Sequence, residues 1–259
     1  MSLTIQYVSD VHLERNDNKF KSILDTSSPA DVLVLAGDIG CPKDPRFKEF
    51  LNECKSHFAT VIFVAGNHEY YSCYPDSLET TDILLGTICK ECKVVFLNPT
   101  HPYHQVGDVN FIGSTLWSHI HSTSDADIAT MNTQVFRGIK INESTVLTVE
   151  SHNNMFRQHL SAIEKCIQWG NQHNLKNVVI THHAPFMKAI KSEILPKNYM
   201  YATELSQHLS HETIHTWIYG HTHWNTLTSF KGTMVTSNQF GGNNSKGLKG
   251  WRAFATMIV

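Results

Sequence analysis

Apolar residues occur along this chain in short runs interrupted by polar clusters. Thr4 to Val8, Val32 to Leu35, Val61 to Val64, Val94 to Leu97, Phe111 to Gly113, Val178 to Thr181, Trp217 to Tyr219 and Met234 to Thr236 are rich in β-branched and aromatic side chains. Runs of this length and composition predict buried strands. Between several of them apolar side chains return at helical spacing: Phe47, Phe50, Leu51, Cys54 and Phe58, then Leu78, Ile83, Leu84 and Ile88. A longer stretch, from about Val149 to Gln172, places Met155, Leu160, Ile163 and Ile167 on its apolar side. Strands alternating with helices predict a layered α/β fold. Asn225 to Phe230 and Met234 to Thr236, turning at Lys231 and Gly232, read instead as an antiparallel hairpin.

No repeat, low-complexity tract or Pro/Gly/Ser linker divides the 259 residues, so one domain over 1–259 is expected. The Asp-, Ser- and Thr-rich segment 114–144 fits the alternation least and is read as a lid or insertion over the carboxyl ends of the strands. The loop 237–250 is the other irregular stretch. Charged residues at 17% and hydrophobic ones at 41% exclude a disordered chain. A net charge of −2 gives no grip on a polyanion, which disfavours long nucleic acid and anionic membrane as partners. No apolar run approaches the roughly 18 to 20 residues of a membrane span. The amino terminus shows no signal-peptide pattern, so a soluble cytoplasmic protein is expected. The six cysteines are expected to be reduced, and Cys89 with Cys92 forms a lone CxxC that lacks the second pair of a zinc ribbon.

Chemistry collects where strand-like runs end: Asp10 and His12, Gly37-Asp38, Gly66-Asn67-His68-Glu69, His182-His183, and His221 and His223. In layered α/β folds, groups at strand carboxyl ends converge, so one shared site accounts for all five clusters. Asp10 and His12 offer an oxygen and a nitrogen ligand two residues apart. Asp38 follows a glycine and is read as a carboxylate that bridges two cations. Asn67 offers a carbonyl and His68 an imidazole, while His221 and His223 can divide between two metals. Strand alternation lets only one of His182 and His183 face the centre. A mixed Asp, His and Asn set suits borderline divalent metals better than a calcium cage. The other histidines are read as surface or core residues, apart from His119 and His121, which lie in the lid segment and are weaker candidates to face the site.

In this order the blocks DxH, GD, GNH[DE], an isolated His after a strand, and GHxH resemble the calcineurin-like metallophosphoesterase superfamily, and the segments Phe111 to Trp117 and Gly66 to Tyr71 look similar to its small single-domain, bacterial-type members. The resemblance implies a four-layer αββα sandwich of two mixed sheets, with a dinuclear metal site at the strand carboxyl ends. It implies that Asp10, His12, Asp38 and His223 hold one ion, and that Asp38, Asn67, His182 and His221 hold the other. Manganese is the first expectation, with iron, zinc, nickel or cobalt as alternatives. His68, by resemblance not a ligand, is placed to protonate the leaving alkoxide, with Glu69 as its orienting partner.

The function expected is hydrolysis of a small phosphodiester or phosphomonoester, such as a nucleotide, by attack of a metal-bridging hydroxide, with a mild preference for the diester. The alternatives are a catalytically silent scaffold of the same fold that binds a protein partner, and a nuclease. Selectivity is expected from pocket walls built by 114–137 and 238–249. Trp117, Asn132, Arg137 and Asn238 are the candidate substrate contacts there, against the plainer reading of packing or solvent exposure.

Overall fold

The computed structural model describes residues 2–15, 23–24, 26–27, 30–71, 76–142, 144–190, 198–210, 212–241, 247–253 and 255–259, without the side chains of 132 and 198. The apolar runs form strands that pair mostly in parallel. β1 (Thr4–Val8), β2 (Val32–Ala36), β3 (Thr60–Val64) and β4 (Val95–Leu97) lie side by side, and β11 (Thr256–Ile258) adds antiparallel to β1. A second sheet runs in the order β5 (Tyr103–Val106), β6 (Val109–Ser114), β7 (Lys176–Thr181), β8 (Thr216–Tyr219), β10 (Thr233–Ser237) and β9 (Leu227–Phe230). Its inner pairs are parallel, while β5 and β9 pair antiparallel at the edges.

Alternation along the strands stacks the layers. Val32, Val34, Ile62 and Val64 of the first sheet share an apolar cluster with Phe111, Val178, Ile180 and Ile218 of the second. The residues between them, such as Leu33, Leu35, Phe63 and Val179, face outward into a cluster with the helices. Both faces of these strands are therefore buried, which is why their sequences read as continuous apolar runs. Helices α1 (Pro45–His57) and α3 (Leu78–Glu91) cover the first sheet. The second is covered by α6 (Val149–Gln172). The result is two mixed sheets flanked by helices.

Local signals start the helices where packing needs them. Asp44 accepts from the Arg46 N–H ahead of Pro45, Ser77 accepts from Thr80, and Thr148 from Ser151. The buried faces differ in part from those expected. On α3 they are Thr81, Leu85, Ile88 and Cys89, and Ile83 is 63% exposed. On α6, His152, Phe156 and His159 join Ile163, Cys166 and Ile167 in the buried stripe, while Met155 and Leu160 sit at its margin. The hairpin is present, with Lys231 and Gly232 at positive φ in its turn. β5 and β11 were not expected: short and half-exposed on sheet edges, they lack the apolar run of a central strand. Cys54, Cys89, Cys92 and Cys166 are free as expected, but Cys41 is disulfide-bonded, since a sequence count cannot say which thiols folding brings together. Among the described residues no helix is long and apolar enough to cross a membrane.

Candidate metal centre

Loops that follow parallel strands of both sheets converge on one place. Asp10 and His12 follow β1, and Asp38 follows β2. Asn67 follows β3 and His68 opens the short helix α2 (His68–Tyr71), while His182 follows β7 and His221 and His223 follow β8. The backbone is forced to turn sharply there. Asp10, His12, Asp38, His221 and His223 have φ of 54°, 49°, 53°, 68° and 49°. Each such left-handed conformation costs on the order of 1–3 kcal/mol, and clustering of this kind marks functional sites. Space is equally tight: a Cβ on Gly66 would stand 2.2 Å from Asp38 Oδ1, and one on Gly37 would stand 2.4 Å from His182 Nδ1.

Among the described residues, three sets of donor atoms lie mutually within 4.8 Å: Asp10, His12 and His223; His12, Asp38 and His68; and Asp38, His182 and His221. Asp38 is central. Its Oδ1 lies 3.3 Å from His182 Nε2, and its Oδ2 lies 3.8 Å from Nε2 of both His12 and His68. His12 Nε2 faces His223 Nε2 at 3.4 Å, and Asp10 Oδ1 lies 3.3 Å from that His223 atom. Asn67 Oδ1 is 3.0 Å from His182 Nε2, and its Nδ2 donates to the Tyr71 hydroxyl, which fixes which end of the amide faces inward.

The remaining atoms of these side chains are tied down. His182 Nδ1 is bound to the Ala36 carbonyl and His221 Nε2 to the Met200 carbonyl, so each ring keeps its other nitrogen for the centre. Asp10 accepts from the His221 N–H, and the His223 N–H donates to Gln239. Burial pushes the pKa of Asp38 up, but the charges of His182, His68 and His12 outweigh it and hold the carboxyl well below its usual range. Burial depresses His182, yet Asp38 beside it carries that ring up to about 9. His221, buried and next to His182, is pushed down to about 3. Oxygen and imidazole donors converging on shared points, two buried carboxylates among them, form a set whose charges a divalent cation would balance.

His183 turns away from the centre and packs on Trp117 and His221. Glu69 does not orient His68. Its carboxylate is fully buried and accepts from the N–H groups of Asp38, Ile39, Gly40 and Gly66, which locks the Asp38 loop to the Asn67 loop. Glu14, which the sequence did not single out, holds His68 instead: Glu14 Oε1 lies 3.1 Å from His68 Nδ1 and 3.1 Å from His12 Nδ1. Its place two residues past His12 is the only signal in the sequence.

A cavity of about 450 Å³ opens over the centre. Its walls add Tyr71, Thr133, Gln134, Val135, Met200 and Tyr201, so 114–144 does supply part of the rim. The expected wall contacts are placed otherwise. Trp117 is buried against Tyr70 and His152, Asn238 is consumed by bonds to the backbone of Tyr7 and Arg252, and Arg137 donates to the Met131 carbonyl. The Asn132 side chain and residues 242–246 lie outside the described residues. His119 and His121 pair with each other through Nδ1 at 3.1 Å and do not line the cavity.

Comparison with known proteins agrees with this geometry. The family model of the calcineurin-like phosphoesterases matches residues 3–225. An uncharacterized protein of Acanthamoeba polyphaga mimivirus is 29% identical over 266 residues, which span 92% of this chain and 90% of that protein. The acyl-carrier-protein phosphodiesterase PptH of Mycobacterium tuberculosis is 34% identical over 106 residues, 39% of this chain and 32% of that protein. The crystal structure of the M. tuberculosis phosphopantetheinyl hydrolase PptH superposes with a TM-score of 0.71 at 20% identity, covering 93% of this chain and 90% of that chain. A dimetal phosphatase from Danio rerio superposes with a TM-score of 0.54 at 18% identity, covering 98% and 91%.

Proposed function

The chain belongs to the calcineurin-like phosphoesterase family, a hydrolase acting on phosphate esters, and within that activity we propose that it cleaves a small phosphodiester with two divalent ions. The observation that carries this reading is the convergence of donors on Asp38 from loops of both sheets. Asp10, His12, Asp38 and His223 would hold one ion, and Asp38, Asn67, His182 and His221 the other. When bound, the two ions would neutralise phosphate oxygens and provide a nucleophile from water near neutral pH.

The chain's own residues supply the rest. Asp38 sits between the two donor sets and sets their spacing. His68 Nε2 points toward Asp38 Oδ2 from the cavity side and is the group placed to protonate the departing oxygen, a step typically worth about 10² to 10⁴ in rate. Tyr71 and Tyr201 give aromatic walls for the substrate's organic arms. The described wall residues beyond the donor set, Tyr71, Thr133, Gln134, Val135, Met200 and Tyr201 among them, are uncharged, which supports a substrate of low charge. A diester carries one negative charge, and the phosphodiesterase activity in the name of PptH supports the same preference.

The test is to strip the protein with a chelator, restore Mn²⁺, Fe²⁺, Zn²⁺ or Ni²⁺ one at a time, and follow bis-p-nitrophenyl phosphate beside p-nitrophenyl phosphate. About two ions per chain, with diester hydrolysis that returns on reconstitution and exceeds monoester hydrolysis, is the expected result. Two bound ions without turnover of any phosphate ester would favour the scaffold reading, and tight binding of DNA at physiological salt would favour a nuclease.

A further inference from the structure

We propose that Glu14 is a positioning residue shared by the two halves of the reaction: one carboxylate oxygen fixes the tautomer and the aim of both the ion-binding ring of His12 and the proton-donating ring of His68. The inference rests on the assignment of those two roles above. Glu14 Oε1 is 3.1 Å from Nδ1 of His12 and 3.1 Å from Nδ1 of His68, and the two rings meet edge to face with centroids 4.2 Å apart. A carboxylate oxygen can only accept, so both imidazoles must carry their proton on Nδ1. In the neutral form each ring then has Nε2 as its unprotonated nitrogen. Both of those atoms lie 3.8 Å from Asp38 Oδ2, on the side where the ions and substrate would sit. A wrong tautomer would point an N–H at the ion from His12; in His68 the acid is the ring protonated on both nitrogens, and Glu14 holding Nδ1–H leaves Nε2–H as the proton given to the leaving group.

The arrangement is built for this purpose by packing as well as bonding. His12 is fully buried, His68 is 7% exposed, and the Glu14 side chain is 17% exposed. A single oxygen, Glu14 Oε1, serves both rings, and among the described residues the buried Oε2 has no hydrogen-bond partner. Because the same atom holds both, a change at Glu14 disturbs ion binding and protonation of the leaving group together. Glu69 cannot substitute, since its oxygens are taken by four backbone N–H groups.

The experiment reads ring tautomers, ion affinity and leaving-group dependence in wild type, Glu14→Ala and Glu14→Gln. Long-range ¹H–¹⁵N spectra of the ion-free wild type at alkaline pH, assigned by His12→Asn and His68→Asn comparison spectra, should place the proton of both rings on Nδ1. Glu14→Ala should give mixed tautomers at both rings. It should weaken Mn²⁺ binding, measured calorimetrically, by roughly 10- to 100-fold, the usual effect of losing a partner behind a ligand. Its kcat should fall more on an alkyl diester than on bis-p-nitrophenyl phosphate, whose leaving group needs little protonation. Glu14→Gln keeps an accepting oxygen and should recover the tautomers and most of the Mn²⁺ affinity, which also separates positioning from misfolding. An Nε2-protonated ring in the wild type overturns the proposal. So does a folded Glu14→Ala with wild-type tautomers, Mn²⁺ affinity and leaving-group dependence. Expected tautomers in a wild type that takes up no Mn²⁺ would overturn the metallohydrolase reading and the role of Glu14 with it. Normal Mn²⁺ uptake with the wrong tautomers overturns the role of Glu14 alone.

Discussion

Asp38 and His68 sit side by side at the centre yet are asked to do different work, and substitution separates them. Asp38 lies between two donor sets, so Asp38→Asn should weaken both ions and lower turnover by several orders of magnitude; full activity would remove it from the bridging role. His68→Ala should keep about two ions by metal analysis and lose roughly 10² to 10⁴ in kcat on a poor leaving group. Normal kinetics in that variant would end its assignment as the acid. At this scale the donor types were readable from the sequence, because DxH, GD, GNHE and GHxH carry their chemistry in adjacent letters. The partners behind them were not. Glu14 reaches His68 across 54 positions, and Glu69 reaches the N–H of Asp38 across 31, distances over which no local spacing rule operates.

Helix faces are set by what packs against them, and two elements show the consequence. On α3, Leu85 is fully buried while Ile83 is 63% exposed. Leu85→Ala should therefore cost about 2–5 kcal/mol in denaturant unfolding, and Ile83→Ser should stay within about 0.5 kcal/mol. Equal losses would mean the face is wrongly drawn. On α6, His152 is wedged between Trp117 and Phe136, and burial depresses it from the ordinary 6.5 to about 4. Two turns further on, His159 accepts the Leu116 N–H at Nδ1, and burial followed by the charge of His152 takes it to about 3. Both rings fold neutral, so below pH 6.5 the unfolded chain binds more protons than the folded one. The contribution of these two rings should be complete above pH 6.5 and decline as pH falls from there toward 4, on the order of 1.4 kcal/mol per unit for each. Urea melts across that range should show a shallower decline in His152→Leu than in wild type. An unchanged slope would show that His152 does not contribute.

For the whole molecule, the centre joins loops of one sheet to loops of the other, but the inner cluster of Val32, Val34, Phe111, Val178 and Ile180 already holds the sheets together. Chelation should thus leave a folded protein whose thermal midpoint is lowered, with Mn²⁺ at 100 times its Kd restoring about 2.7 kcal/mol. A midpoint indifferent to both chelator and ion would argue that the loops bind none. The apolar runs determined the central strands, and the motifs determined the family and the donor types. Burial on both faces writes a continuous apolar signature, and an ion site demands particular side chains at fixed short spacings. Only the tertiary structure decided the edge strands β5 and β11, the faces of α3 and α6, the disulfide at Cys41, and the places of Glu14, Glu69, Tyr71 and Tyr201. Each of these depends on which segments meet after the sheets stack, and one residue's neighbours in space are not its neighbours in the chain.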